Sequence, residues 1–219
     1  MSLDSYQQLL ATTTGLLLLS AVLQVWGRST LRAIGLLVLQ GVALAGVVLT
    51  VGLRAGETGA PLVALLLVVV KAVVMPWAML RAARLIGVTR ERSARVNPAV
   101  ELIGAACLTL LAYAVSAPLL GDAPDPARQA VPVGVSLMLL GFWHLLVRGS
   151  AISQLVGFLM LDNGIAAVSF LIAGGLPLVV ELGATLDVLL VVLILGVLVV
   201  RMHTEQGHID IPELTELHD

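Results

Sequence analysis

The chain has 219 residues, 59% of them hydrophobic and only 12% charged, with a net charge of −2 and a mean hydropathy of +1.05. So little charge cannot cover the surface of a water-soluble domain of this size, and lipid must be the solvent for most of the molecule. The near-neutral balance argues against nucleic acid as a partner. No glycine-rich phosphate loop, HExxH, CxxC or Ser/His/Asp-like set is present to build a catalytic or metal centre.

Asp4 precedes the first apolar run and no basic segment does, so residues 8–25 read as a retained span, not a cleaved signal. Further apolar runs fall at 33–53, 61–80, 99–119, 131–147, 152–173 and 178–200. Each is long enough to cross roughly 30 Å of hydrocarbon as a helix. Aromatics make up 4% while Leu, Val, Ala and Gly dominate, which suits a helical bundle and not the alternating strands of an outer-membrane barrel. The sequence therefore predicts an all-α integral membrane protein of seven transmembrane helices. The single Cys107 excludes an intrachain disulfide and argues against a cysteine metal site.

The arginines orient the bundle. Arg28, Arg32, Arg81, Arg84, Arg90, Arg92, Arg95, Arg148 and Arg201 fall on one side, and only Arg54 and Arg128 on the other. By the positive-inside rule the amino terminus is expected outside and the carboxyl terminus in the cytoplasm. The Arg81–Asn97 loop carries five of these arginines, as topology determinants or as a hold for anionic lipid or an acidic partner. Asn97-Pro98 reads as N-cap and first residue of the fourth span, with Glu101 in its first turn as a dipole-compensating, docking or proton-path residue.

Spans one to three and five to seven align as two copies of one unit. Arg32–Gln40 matches Gln154–Asp162, bringing Gly35 to Gly157 and Gln40 to Asp162. Ala60–Val63 matches Leu176–Val179, bringing Lys71 opposite Asp187. Both units start outside, a parallel 3+1+3 repeat of a kind seen in proteins that move ions. True duplication and chance matching of apolar helices both fit this alignment.

Lys71, Asp162 and Asp187 each fall near the middle of a span, where an ionised group costs at least about 2.5–3.5 kcal/mol. Such groups persist where they pair, face water or titrate. Lys71 is the only lysine, and a buried lysine can lose its proton where arginine cannot. These three are the candidate proton or ion relay, with a static ion pair locking the helices as the structural alternative. Four residues form a secondary set of relay or docking candidates: Glu101, His144, Glu181 and Asn163. His144 follows Phe142-Trp143 near the end of span five, where an interfacial belt role is the alternative, and Glu181 opens span seven. Pro76 is expected to kink span three just past Lys71 and to free a carbonyl there. The tail after Met202 carries five acidic residues and three of the four histidines, with no metal-ligand spacing.

At Leu155-Val-Gly-Phe-Leu-Met-Leu-Asp-Asn-Gly164 and Glu181-Leu-Gly-Ala-Thr-Leu-Asp-Val-Leu-Leu190, the sequence resembles the hydrogenase-4 component E family. Those proteins are membrane subunits of group 4 nickel–iron hydrogenase and formate hydrogenlyase-type complexes. The resemblance covers nearly the whole chain, including Lys71 and Pro76, and the Leu-Asp-Asn-Gly stretch is its most specific part. The carboxyl half, from about Trp143 to His203, also resembles the K subunit of respiratory complex I and the C subunit of multisubunit cation/proton antiporters. Aligned on Gly157 and Asn163, the K subunit's two glutamates fall on Leu159 and near Val191. Asp162 and Asp187 thus stand one turn away from them.

The resemblance implies four regions: a three-helix unit over 1–85, an Arg-rich cytoplasmic loop plus connecting helix over 86–130, a K-subunit-like unit over 131–202, and an acidic cytoplasmic tail over 203–219. It implies a multi-pass protein of a prokaryotic plasma (inner) membrane, without a catalytic site of its own. Expected partners are membrane lipid, antiporter-like membrane subunits and cytoplasmic redox subunits. No cofactor is expected on this chain, the nickel–iron centre and iron–sulfur clusters belonging to partner chains. The expected function is to couple redox chemistry to proton or sodium translocation. A free-standing small secondary transporter and a purely structural membrane anchor are the alternatives.

Overall fold

The computed structural model describes residues 2–27, 29–86, 97–120 and 125–173. Its helices, in order, are α1 (Leu3–Trp26), α2 (Thr30–Ala55), α3 (Ala60–Leu67), a π-helical stretch (Val68–Val74), α4 (Met75–Ile86), α5 (Pro98–Leu120), α6 (Pro126–Gln129), α7 (Val131–Val147) and α8 (Ala151–Ala173). Six segments among the described residues are long and apolar enough to cross a membrane, with α3, the π-helical stretch and the start of α4 acting as one. The expected seventh span at 178–200, with Glu181 and Asp187, and the tail at 203–219 lie outside the described residues.

Local chemistry explains where the helices begin and end. Ser2 caps α1 by accepting the Ser5 N–H at 3.2 Å. Asn97 caps α5 through the Ala99 N–H at 3.1 Å, as its place before Pro98 predicts. Gly56 closes α2 in the left-handed region (φ 78°), a conformation that glycine adopts without a Cβ penalty. The four-residue helix α6, capped by Asp125, falls between the apolar runs at 99–119 and 131–147.

Two antiparallel hairpins, α1/α2 and α7/α8, pack back to back and form the centre. The α3–α4 rod lies along α2 on one side, and α5 lies against α7 and α1 on the other. In its most apolar stretch α2 is 61% buried and α5 only 22%, so α2 is the interior helix and α5 the peripheral one. Ser116 Oγ is buried without a partner among the described residues, but other buried hydroxyls are satisfied within their own helices, as with Thr14 to the Leu10 carbonyl at 2.7 Å and Ser136 to the Pro132 carbonyl at 2.8 Å. In lipid no water is available to do this.

Helix association in a bilayer rests on close van der Waals packing more than on apolar burial. The tightest seam here is α7 against α8, where Gly134 lies against Gly164 and Gly141 against Gly157. A Cβ on Gly141 would sit 2.5 Å from the Leu161 backbone nitrogen. Gly141→Ala is therefore expected to cost about 1–3 kcal/mol through overpacking, read as a shift in the unfolding midpoint in detergent. Gly15→Ala is its control, since nothing lies within 4 Å of a Cβ there. It should be neutral or slightly stabilising through helix propensity.

Candidate functional site

Three elements bring the polar site together halfway through the membrane-spanning segments. α2 contributes Gln40, the π-helical stretch contributes Lys71, and α8 contributes Asp162 and Asn163. Apolar layers lie on both sides. Ile34, Leu37, Met75, Met79, Val156 and Leu159 pack toward one end, and Ala45, Val48, Ala64, Leu67 and Phe170 toward the other. The polar groups thus form a thin slab within apolar surroundings, where each must find its partner inside the protein.

Lys71 is 4% exposed. Its ammonium ion-pairs with Asp162 Oδ2 and donates to Asn163 Oδ1 at 3.0 Å. Asn163 Nδ2 in turn donates to Gln40 Oε1 at 3.1 Å. An ammonium can only donate, so Asn163 must offer it the oxygen, which leaves the Asn163 amide nitrogen for Gln40. The direction of the whole chain follows from the charge on Lys71. At its far end Gln40 Nε2 is buried and has no partner among the described residues. The Asp162 side chain is 27% exposed against 3% for Lys71, so the pair opens to the bundle's surface on the carboxylate side.

The backbone prepares this position. Met75 N–H reaches the Val70 carbonyl, five residues back, and Pro76 has no N–H to give. The helix widens into π geometry at the turn that carries Lys71, a local widening where the sequence suggested a kink at Pro76. Gly41 lets α2 approach that turn, since a Cβ there would lie 3.0 Å from the Lys71 carbonyl carbon and 3.1 Å from Lys71 Cβ. A cavity of ≈10 Å³ adjoins it, lined by Leu37, Lys71, Met75, Pro76, Leu159 and Asn163. A wider cavity of ≈460 Å³ lies at the Gly56 end of the bundle, bordered by the α2–α3 turn and Phe170. It touches none of these polar groups.

A second buried charge cluster sits at the opposite end, where α1 stops, α5 starts and α7 turns into α8. Arg148 Nη2 donates to Glu101 Oε2 at 3.0 Å, to the Val25 carbonyl at 2.7 Å and to the Gly27 carbonyl at 3.2 Å. Both charged side chains are 1% exposed. In the sequence Arg148 stands only as one of the arginines that orient the bundle, with no partner suggested. Its position in a short turn just past an apolar run looks the same whether the side chain points to headgroups or inward.

The secondary candidates separate accordingly. Asn163 belongs to the mid-membrane site and Glu101 to the Arg148 cluster. His144, weighed as an interfacial belt residue, is instead buried (4% exposed) one turn before Arg148, whose N–H donates to its carbonyl at 3.0 Å. Gln40 entered the sequence analysis only through the repeat alignment. Asp187 and Glu181 lie outside the described residues. Among the described residues no three His, Cys, Asp or Glu side chains gather as a metal site would require.

No protein-family model matches the chain, and no solved structure matches it. Hydrogenase-4 component E of Escherichia coli is 27% identical over 149 residues, covering 68% of this chain and 69% of that protein, and that of Shigella flexneri matches equally. This stretch is shorter than the near full-length resemblance read from the motifs, and it is a distant homology. A Mycobacterium tuberculosis protein, named only as uncharacterized protein Rv0085, is 39% identical over 220 residues, covering 100% of both chains. With six apolar membrane-length helices among the described residues around a buried polar slab, the chain belongs to the family of that mycobacterial protein, and its distant homology to hydrogenase-4 component E fits a membrane subunit of a hydrogenase-type complex.

Proposed function

We propose that this chain couples redox chemistry in partner subunits to proton or sodium movement, with Lys71 and Asp162 as a link in an intramembrane path. The observation that carries this reading is a titratable lysine and carboxylate paired halfway through the membrane segments. An ionised side chain at that depth is a functional site by default. The carboxylate's partial exposure gives the pair a side on which to exchange with another group. In this reading a seventh helix crosses at 178–200 and adds Asp187 to the path. The amino terminus lies outside and the arginine-rich loop faces the cytoplasm, in a prokaryotic inner membrane. The carboxyl half then stands where the complex I K subunit stands, beside antiporter-like subunits, and the metal centres reside in other chains.

The test uses the assembled complex, purified in mild detergent with every co-purifying chain identified. Lys71→Ala, Asp162→Asn and Asp187→Asn are each expected to assemble and to lose ion movement after reconstitution into vesicles. Retention of full pumping by all three variants sinks the path. Recovery of the chain alone, still moving ions, favours a free-standing transporter.

A further inference from the structure

The outward face of α8 carries one residue that does not belong in lipid. Phe158, Asp162, Ile165 and Ile172 follow at spacings of four, three and seven residues, which sets them on one stripe of the helix. Phe158, Ile165 and Ile172 are 39%, 45% and 56% exposed, as side chains against acyl chains can be. Asp162 is the exception. Its side chain is 27% exposed at the edge of the stripe, where it reaches across to Lys71 of the α3–α4 rod. A charged group at mid-depth is costly unless protein or water faces it, so the stripe needs a cover.

The other faces of α8 are taken. α7 closes on Gly157 and Gly164, and α2 packs beside them. Whatever covers the stripe must therefore lie on the outward side of α8, next to the rod. The chain itself brings a segment to that place. The described part of α8 ends at Ala173, and only Gly174-Gly-Leu-Pro177 separates it from the apolar run at 178–200. Four residues reach at most roughly 13–14 Å. That is enough to pass to a neighbouring axis about 8–10 Å away, but not to the next one beyond. A run tethered so closely and returning across the membrane has to lie beside α8, on the side that its packing leaves open.

Depth gives the same answer. Asp162 stands eleven residues before Ala173, about 16–17 Å along the axis. Asp187 stands nine residues after Leu178, about 13–14 Å along a helical return. On an antiparallel path the two levels fall within about one helical turn. Asp162 is the only charged residue of α8, and Asp187 the only one in the interior of the run, since Glu181 stands near its start. Packed together, neither carboxyl group is left facing lipid.

We propose that residues 178–200 cover the outward stripe of α8, antiparallel to it and beside the α3–α4 rod, with Asp187 at the level of the Lys71–Asp162 pair. The assignment rests on the crossing at 178–200 read above, and it does not require the pair to conduct.

Cysteine pairing in native membranes tests it on the full chain, after Cys107→Ser removes the single native cysteine. Ile165→Cys is combined in turn with Ala184→Cys, Thr185→Cys, Leu186→Cys and Val188→Cys, and each pair is oxidised with copper phenanthroline. These four positions span a full turn at the level of Ile165. Leu110→Cys, on the lipid-facing side of α5 and 71% exposed, is the control partner. At least one Ile165 pair is expected to link within one chain several-fold more than any Leu110 pair. The crossing is read separately, with an impermeant maleimide on Leu176→Cys and His203→Cys, which should label from opposite sides of the membrane. Opposite labelling without an Ile165 link would overturn the docking and leave the stripe to lipid or another chain. Links that join two copies would give the stripe to a second copy and overturn it as well. Labelling of both positions from the same side would remove the crossing, and the docking with it.

Discussion

Glu101→Gln is expected to cost about 3–5 kcal/mol of stability, the penalty for breaking a buried ion pair by removing one partner. The purified chain should show it as a large fall in unfolding midpoint in a detergent series. The size of the effect follows from what is left behind. Arg148 is 1% exposed and, as a guanidinium, cannot shed its charge by releasing a proton. Glutamine can still accept one hydrogen bond, but it supplies no countercharge. Arg148→Met should cost a similar amount, because it takes the guanidinium from the Glu101 carboxylate and also withdraws the donor from the Val25 and Gly27 carbonyls. The two changes together should cost less than their sum, since the contact between the two side chains is then lost only once. Additive costs would mean that the pair contributes nothing as a pair.

These two charge clusters show how far the sequence could be read. Lys71 and Asp162 are legible because a charge in the middle of an apolar run must find a partner or face water, and Asn163 is legible because it stands beside Asp162. Their meeting is not. Lys71 and Asp162 are ninety-one positions apart, and one alignment even set Lys71 opposite Asp187 instead. Gln40 hides because a single amide near the middle of α2 barely lowers its hydropathy. Arg148 and Glu101 were each given a local account, as a topology determinant and a dipole partner, because helix-end charges usually need no other. What joins them is the packing of α5 on α7, and no periodicity in either helix announces it. The widened turn at Lys71 was half visible. Pro76 signals a disturbance, but whether a helix kinks or widens depends on the neighbour, here Gly41 of α2 pressing against that turn.

The mid-membrane pair should respond differently, and the difference decides between a path and a lock. Asp162→Asn removes the countercharge from a lysine that is 3% exposed. Unlike Arg148, a lysine can respond by releasing its proton and staying in place as a neutral amine that Asn163 still accepts from. The stability cost should therefore fall well below that of Glu101→Gln. Lys71→Met leaves a carboxylate that is already partly exposed, and it too should be milder. The informative variant is the double one, Lys71→Met with Asp162→Leu. It replaces the pair by apolar side chains, a change that is often neutral or stabilising by about 1–4 kcal/mol. If the pair only fastens α8 to the α3–α4 rod, this protein should assemble and work normally. If the pair is a link in the path, the protein should assemble at least as well as the native chain and move no ions. Stability and flux must separate in this variant, and a double mutant that still pumps at the native rate would leave Lys71 and Asp162 as a fastening.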